Sequence, residues 1–249
     1  MGKLDGRVAL ITGAGRGLGK GMALGFAEEG AQVAVHYLSS KAGAQDAVDT
    51  IRTRGGKAEA FQAELADAAQ VERLIGEVRN TFGKIDILVN NAGNVNQAPL
   101  TEMSIQQWDD LFNSHVRSMF LCTRLVLPEM IQRKYGKIII ISGSFAMSGH
   151  ENFVHLSAAK AAQIGFTRAL AKEVGPFNVH VNCIAPAMIH TEQVEKLPPE
   201  LLERLRQSYP LRKIGAVRDV VASAIFLASS DSDFYTGQTL CPAGGNVMV

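Results

Sequence analysis

Short apolar runs alternate with longer helical patterns along the chain, and this alternation limits the possible folds more than any other feature. Repeated strand-helix alternation predicts a parallel sheet with helices on both faces, because right-handed crossovers join parallel strands. We therefore expect an α/β fold with a doubly wound, Rossmann-type parallel sheet in three α/β/α layers. The strand candidates are 7–12, 32–37, 58–63, 85–90, 137–142, 180–185 and 235–240; the helix candidates are 20–29, 40–54, 69–82, 105–133, 157–174 and 217–229.

The composition indicates one globular domain of 249 residues, with 47% hydrophobic and 20% charged residues and no Pro/Ser-rich linker. No apolar run approaches the roughly 18 residues of a membrane span, and the N-terminus lacks the features of a signal peptide. A net charge of +1 gives no reason to expect nucleic acid as a partner. The three cysteines lack metal-ligand spacing, so we expect no metal site, no disulfide framework and a cytoplasmic protein.

A glycine-rich segment follows the first strand directly. Its sequence is Thr12-Gly13-Ala14-Gly15-Arg16-Gly17-Leu18-Gly19, and a helical pattern comes next. Glycines allow the backbone to approach a pyrophosphate closely, and the helix N-terminus offers unpaired N–H groups and a positive dipole end. This order of strand, glycines and helix predicts a dinucleotide site at 12–19.

The end of the second strand indicates which dinucleotide binds. NAD sites usually carry an Asp or Glu about 20 residues past the glycines, where it holds the ribose hydroxyls. The segment 35–40 has no carboxylate there and instead supplies Ser39 and Ser40, with Arg16 in the glycine loop. Hydroxyls and a cation suit a 2′-phosphate, which a carboxylate would repel. We therefore expect NADP(H) as the cofactor.

Further motifs follow the glycine loop in order. Asn90-Asn91-Ala92-Gly93 follows the fourth strand, Lys160 lies in a long helix, and 186–191 follows the sixth strand. Together with 234–238 and Gly244-Gly245, these motifs resemble the classical 250-residue type of the short-chain dehydrogenase/reductase (SDR) family over essentially the whole chain. The resemblance implies a single NADP-binding domain, 1–249, that acts on a small-molecule substrate.

The resemblance also implies where the cofactor is bound. The family places it across the carboxyl ends of the strands, and Glu64-Leu65 stands where the family usually carries an Asp-Val pair near the adenine. The cofactor-binding candidates are Gly13, Arg16, Gly17, Leu18, Gly19, Ser39, Ser40, Glu64, Leu65, Asn91, Ala92, Gly93, Lys160, Pro186, Ile189 and Thr191.

The family's catalytic groups are an Asn, a Ser, a Tyr and a Lys, and this chain keeps only the Lys. In the family the Tyr exchanges the proton on the substrate oxygen, and the Lys lowers the pKa of that Tyr and holds the nicotinamide ribose. Lys160 matches, but Leu156 stands four residues before it, at the Tyr position. Gly143 takes the Ser position and His115 the Asn position. Because leucine cannot donate a proton, ordinary ketone reduction is disfavoured.

Histidines near these positions are candidates for the lost acid-base function. His115 takes the Asn position, His155 neighbours Leu156, and His150 lies in the preceding loop. Imidazole titrates near neutral pH and is the most frequent general acid or base. His155 also has a structural alternative, since it is about 100° around the helix from the expected position, and His115 could simply replace the Asn as a hydrogen-bonding group. The catalytic candidates are Lys160, His115 and His155.

The family resemblance also implies a lid and an oligomer. The family places its substrate lid at about 188–212, and the mixture of apolar and charged residues there fits a mobile, amphipathic helix pair. Leu156, Met188 and Phe153 would make the pocket more apolar than usual. The helices 105–133 and 157–174 commonly form the family's dimer interface, so a homotetramer or homodimer is expected.

Three functions stay open. The first is an NADP(H)-binding oxidoreductase with non-standard acid/base chemistry, acting on a small, fairly apolar carbonyl, iminium or enone. The second is a redox-silent cyclase, isomerase or dehydratase that uses histidine as its acid or base. The third is a non-catalytic subunit that supports an active partner. We rank the redox enzyme first, because the glycine loop, Asn90–Gly93 and Lys160 are retained.

Overall fold

The computed structural model describes residues 2–192 and 194–248, and within them seven strands form one parallel sheet in the order β3-β2-β1-β4-β5-β6-β9. This confirms the predicted single-domain, doubly wound α/β fold. The strands are β1 (Val8–Ile11), β2 (Gln32–Tyr37), β3 (Ala58–Gln62), β4 (Ile87–Asn90), β5 (Gly136–Ile141), β6 (Val179–Ile184) and β9 (Thr239–Leu240), with a separate small pair, β7 (Ile189–His190) and β8 (Gly215–Ala216).

The helices lie between the strands and cover both faces of the sheet. They are α1 (Gly17–Glu28), α2 (Lys41–Thr53), α3 (Ala68–Phe82), α4 (Ile105–Phe112), α5 (Ser118–Arg133), α6 (Phe145–Ser148), α7 (Val154–Val174), α8 (Pro199–Ser208) and α9 (Val217–Ala228). Side chains of β1 alternate between two apolar cores: Ile11 packs with α1, α2 and α9, while Leu10 packs with α3 and α5. Burial on both faces explains why the strands are almost wholly apolar.

The strand order reverses at β1, which pairs with β2 on one side and with β4 on the other. At such a point the connections leave toward opposite faces of the sheet, and a crevice opens at the carboxyl ends of the strands. The glycine loop follows β1, and Asn91 follows β4. The fold therefore brings two of the sequence motifs to the two sides of one crevice.

The predicted helix 105–133 is interrupted. A π-helical turn, Asn113–Arg117, separates α4 from α5 and leaves His115 buried. A π turn accommodates one extra residue and commonly occurs at functional sites. Among the other predicted elements, α7 begins at Val154 instead of 157, and the predicted strand 235–240 is reduced to β9.

A buried carboxylate fixes the start of β1. Asp86 Oδ2 accepts the Val8 N–H at 3.0 Å, and the fully buried side chain also pairs with Arg133 at 2.6 Å and Lys84 at 2.8 Å. Burial alone would raise the pKa of Asp86, but the hydrogen bonds from Lys84, Arg133 and Val8 outweigh it and lower the pKa. Asp86 thereby ties β1 to α5 and to the loop before β4.

No helix in the described part of the chain is long and apolar enough to cross a membrane. Among the same residues, no group of three or more His, Cys, Asp or Glu side chains is arranged to hold a metal ion.

Replacing Asp86 with Ala should lower the free energy of unfolding by about 2–4 kcal/mol, because it leaves the Val8 N–H and two cations without their partner. A lowered pKa in the folded state stabilises the protein above the unfolded pKa, and this stabilisation is lost as the pH falls through the folded value. Urea unfolding should therefore show a weaker decline of stability toward acid pH for Asp86→Ala than for the wild type.

The control Glu59→Ala removes an exposed ion pair with Arg52 and should lower the free energy of unfolding by less than about 1 kcal/mol. Equal losses in the two variants would contradict the role of Asp86 in anchoring β1.

Candidate active site

A cleft of about 420 Å³ opens at the carboxyl ends of the strands. This volume lies within the range of small-molecule sites. Its walls come from the glycine loop, the loop after β4, the π turn, β5, the start of α7 and the segment after β6. The lining residues are Gly13, Arg16, Gly17, Leu18, Gly19, Asn91, Gly93, Asn94, Val95, His115, Ile141, Ser142, Leu156, Lys160, Pro186, Ala187, Met188, Ile189, Thr191 and Glu192.

The N-terminus of α1 forms part of the wall of this cleft. Gly17, Leu18 and Gly19 open the helix, so their N–H groups have no acceptor within it. Arg16, at the N-cap, makes no side-chain hydrogen bond to them. The helix start therefore offers N–H donors and a positive dipole end to an anion.

A hydrogen-bond network joins the glycine loop to the end of β4. Thr12 Oγ1 donates to Val89 O at 3.1 Å and accepts the N–H groups of Asn91 at 2.9 Å and Ala92 at 3.0 Å. The Asn91 side-chain amide donates back to Thr12 O at 2.9 Å and Gly13 O at 3.2 Å. The floor of the cleft is thus held by two polar side chains that satisfy five backbone groups.

The candidates after β2 and β3 lie outside the lining of the cleft, although Ser40 contacts the glycine loop. Ser40 Oγ donates to Gly15 O at 3.2 Å, whereas Ser39 and Arg16 are exposed. Glu64 Oε1 accepts the Ala66 N–H at 3.0 Å, and Leu65 is buried. Ser39, Ser40, Glu64, Leu65 and Ala92 lie outside the cleft lining, and the cofactor contacts of all the candidates stay predictions.

Lys160 is anchored at the edge of the cleft by β5. Its Nζ donates to Ile141 O at 2.8 Å, and Ser142 Oγ donates to Lys160 O at 2.8 Å. Burial lowers the pKa of Lys160 to about 8. Leu156 lies one helical turn earlier on the same wall, only 5% exposed. A Cβ at Gly143 would lie 3.9 Å from Lys160 Cε, so a small side chain would fit there.

His115 is the one histidine among the described residues that line the cleft. Its Nε2 donates to Asn94 O at 2.7 Å, and its buried Nδ1 has no partner in the described structure. Burial, assisted by the positive charge of Lys160, lowers the pKa of His115 to about 3. The neutral ring therefore carries its proton on Nε2, and the buried Nδ1 is an acceptor that is shielded from solvent.

His155 and His150 lie outside the cleft lining. His155 is fully buried, and its Nε2 is hydrogen-bonded to Asn96 Oδ1. Burial lowers the pKa of His155. The exposed His150 ring lies 4.8 Å from the ring of Phe145, in an aromatic cluster. His115 and His155 thus both hold the loop 94–96, and the catalytic roles of Lys160, His115 and His155 all stay predictions.

Sequence analysis did not identify two residues whose side chains contact the segment after β6 and the glycine loop. Tyr209, at the end of α8, accepts the Met188 N–H on its hydroxyl oxygen at 3.2 Å and ties the predicted lid to the cleft wall. His36, in β2, accepts the N–H of Gly13, the first glycine of the loop, at 3.0 Å. The sequence did contain one indication of the role of His36: it is a polar side chain in a strand that is predicted to be buried on both faces.

Comparison with known proteins places the chain among reductases and dehydrogenases. A family model described as enoyl-(acyl carrier protein) reductase matches residues 13–246. The chain is 38% identical to the 3-oxoacyl-(acyl-carrier-protein) reductase FabG of Staphylococcus aureus over 96% of this chain and 98% of the relative. A reductase of the same description from Synechocystis is 39% identical over the full length of both chains. The (2S)-((R)-hydroxy(phenyl)methyl)succinyl-CoA dehydrogenase subunit BbsD of Thauera aromatica is 38% identical over 98% of each chain.

Solved structures agree with this placement. A candidate gluconate dehydrogenase from Agrobacterium tumefaciens superposes with a TM-score of 0.95 at 29% identity, over 99% of this chain and 98% of that one. A candidate short-chain alcohol dehydrogenase from Sinorhizobium meliloti gives a TM-score of 0.92 at 30% identity, over 98% and 97%.

The packing of His115 on Gly93 leaves no room for a side chain. A Cβ at position 93 would lie 2.0 Å from His115 Cε1, so Gly93→Ala should lower the free energy of unfolding in urea by about 1–3 kcal/mol. The control Gly76→Ala, at a helical site with nothing within 4 Å of the new Cβ, should raise it by about 0.5–1 kcal/mol.

A double-mutant cycle isolates the contact. In the His115→Ala background the new methyl group fits, so the Gly93→Ala loss should shrink by at least about 1 kcal/mol. Additive losses would contradict the packing of the ring against Gly93.

Proposed function

We propose that this chain, which belongs to the short-chain dehydrogenase/reductase family, is an NADP(H)-binding oxidoreductase with non-standard acid/base chemistry. Its substrate is a small, fairly apolar carbonyl, iminium or enone. The observation that carries the proposal is a cleft with uncapped helix amides and Lys160 on its walls, and with Leu156 where the family places its proton donor.

The residues present fit NADP(H). The amides at 17–19 would hold the pyrophosphate, and Lys160 would hold the nicotinamide ribose, with Pro186, Ile189 and Thr191 on the facing wall. Arg16 and Ser39 are exposed beside the end of β2, where the 2′-phosphate is expected and the strand carries no carboxylate. The choice of NADP(H) over NAD(H) follows from this absence of a repelling charge.

The cleft wall favours reactions that need no proton from a phenol. When bound, NADPH supplies a hydride. Leu156 and Met188 give the cleft wall an apolar surface, and Lys160, protonated at neutral pH, places a positive charge at its edge. A cation there stabilises negative charge that develops on a substrate oxygen.

The positive charge of Lys160 favours some of these substrate classes over others. An enone takes hydride at carbon and develops an enolate, whose charge suits the ammonium group. A simple ketone develops an alkoxide, which depends more strongly on a proton donor than an enolate does, and Lys160 is the candidate donor. An iminium ion is already cationic, so Lys160 opposes its binding below a pH of about 8 and permits it above. We therefore place the enone first.

The remaining expectations complete the proposal. The whole chain, 1–249, acts as one NADP-binding domain, with 188–212 as its substrate lid. It assembles as a homotetramer or homodimer in the cytoplasm, without nucleic acid or membrane as a partner. Cys122 and Cys183 are buried free thiols, which fits a reducing compartment.

A second candidate is a non-catalytic subunit that supports an active partner. Two observations favour it: Leu156 stands at the position that the resemblance assigns to the catalytic Tyr, and the Thauera relative is itself named as a subunit of a dehydrogenase. In that case the cleft would still bind nucleotide, but turnover would need a second chain.

Calorimetric titration should give a dissociation constant for NADPH at least about tenfold below that for NADH. Ser39→Asp should raise the NADPH constant by about tenfold or more, because the new carboxylate repels the 2′-phosphate, and should leave the NADH constant within about threefold. Ser230→Asp, an exposed change away from the cleft, should alter neither. Tighter binding of NADH by the wild type would refute the proposed cofactor preference.

Mixing the protein with NADPH and cyclohexenone should lower the nicotinamide absorbance faster than mixing it with acetoacetyl thioester. The double variant Leu156→Tyr/Gly143→Ser should raise thioester reduction by about 10²-fold or more, because it restores a proton donor beside Lys160. Leu100→Tyr, at an exposed position, is the matched control and should have no effect.

Product mass distinguishes the alternatives. A changed substrate with unchanged absorbance would replace the proposal with a redox-silent enzyme. Turnover only with a co-expressed homologue would replace it with the subunit role. An unaltered rate in the double variant would contradict the placement of Leu156 and Gly143 at the Tyr and Ser positions.

A further inference from the structure

His36 connects two segments that flank the proposed cofactor site. It lies near the end of β2, is only 1% exposed, and points into the layer beneath the glycine loop. Its Nδ1 accepts the N–H of Gly13 at 3.0 Å, and its Nε2 donates to Ala63 O at 3.0 Å. One imidazole thus bridges the first glycine of the loop to the end of β3, just before Glu64.

The two contacts fix the state of the ring. A backbone N–H can only donate and a carbonyl can only accept, so His36 is the neutral Nε2–H tautomer. Burial lowers the pKa of His36 to about 4, which keeps the ring neutral at physiological pH. No other tautomer satisfies both backbone groups at once.

His36 also determines which amides of the loop face the cleft. Its side chain takes the N–H of Gly13, and its backbone carbonyl takes the N–H of Ala14 at 2.7 Å. Both amides at the start of the loop therefore point back to β2. The amides at 17–19 have no acceptor within α1, and their residues line the cleft. Gly13 has φ +64°, a left-handed conformation that this bond helps to hold.

We propose that His36 is a positioning residue for the dinucleotide site: it turns the first amides of the glycine loop toward β2 and so leaves the amides of α1 free for the pyrophosphate. His36 itself does not touch the cofactor. The effect on affinity rests on the proposed NADP(H) binding, whereas the effect on the loop is a property of the free protein.

Two amide variants separate the two contacts. In His36→Asn, Oδ1 takes the place of Nδ1 and keeps the acceptor for Gly13. In His36→Gln, Nε2 takes the place of the ring Nε2 and keeps the donor to Ala63 but loses that acceptor. His180→Gln, in β6 and away from the cleft, is the matched control.

Amide hydrogen exchange of the cofactor-free protein is the first measurement. Exchange at Gly13 should stay within about threefold of the wild type in His36→Asn and His180→Gln, and should accelerate at least about tenfold in His36→Gln, as expected for one lost hydrogen bond. The dissociation constant for NADPH should follow the same order, with a rise of about tenfold only in His36→Gln.

Equal behaviour of the Asn and Gln variants in exchange would overturn the proposal and leave His36 a packing residue. Unequal exchange with equal NADPH constants would also overturn it, because the loop would then not control affinity. If the wild type itself bound no NADPH, the proposed function would fail, and the exchange data alone would decide whether His36 orients the loop.

Discussion

The arrangement of the cleft depends on backbone amides that the chain itself leaves unpaired. Thr12 and Asn91 satisfy the backbone on the β4 side of the glycine loop, and His36 satisfies it on the β2 side. What stays open is the start of α1, where Arg16 provides no side-chain cap. Amides without a partner are costly when shielded from water, so a helix start of this kind favours an anionic ligand.

The opposite wall has a different character. Leu156 presents an apolar surface at the position that we assign to the family's proton donor, and the nearby His115 and His155 use their N–H groups to hold the loop 94–96. Burial keeps the His115 ring neutral, so it accepts rather than donates. Lys160, with its pKa lowered to about 8, is the proton-bearing group on this wall. In the proposed reaction, Lys160 stabilises the developing charge, and no phenol donates a proton.

Local patterns predicted the fold and the position of the cleft, because strand burial and glycine spacing act over short distances. The parallel sheet, its crossovers and the loop 12–19 were all predictable in this way. The π turn at 113–117 was not, since a helical period does not reveal one inserted residue. The packing of His115 from this turn against Gly93 is likewise visible only in the folded chain. The partners of His155 and His36 lie 59 and 23 residues away in sequence, so only the folded chain determines what their rings bind.

A crystal structure with NADPH bound tests the central claim most directly, because the claim concerns which side chains surround the reacting ring. We predict the pyrophosphate on the amides of 17–19 and the nicotinamide carbon C4 facing Leu156, with no tyrosine hydroxyl within hydrogen-bonding distance of a substrate oxygen placed at C4. An empty cleft at saturating NADPH, or a tyrosine hydroxyl beside C4, would contradict the account.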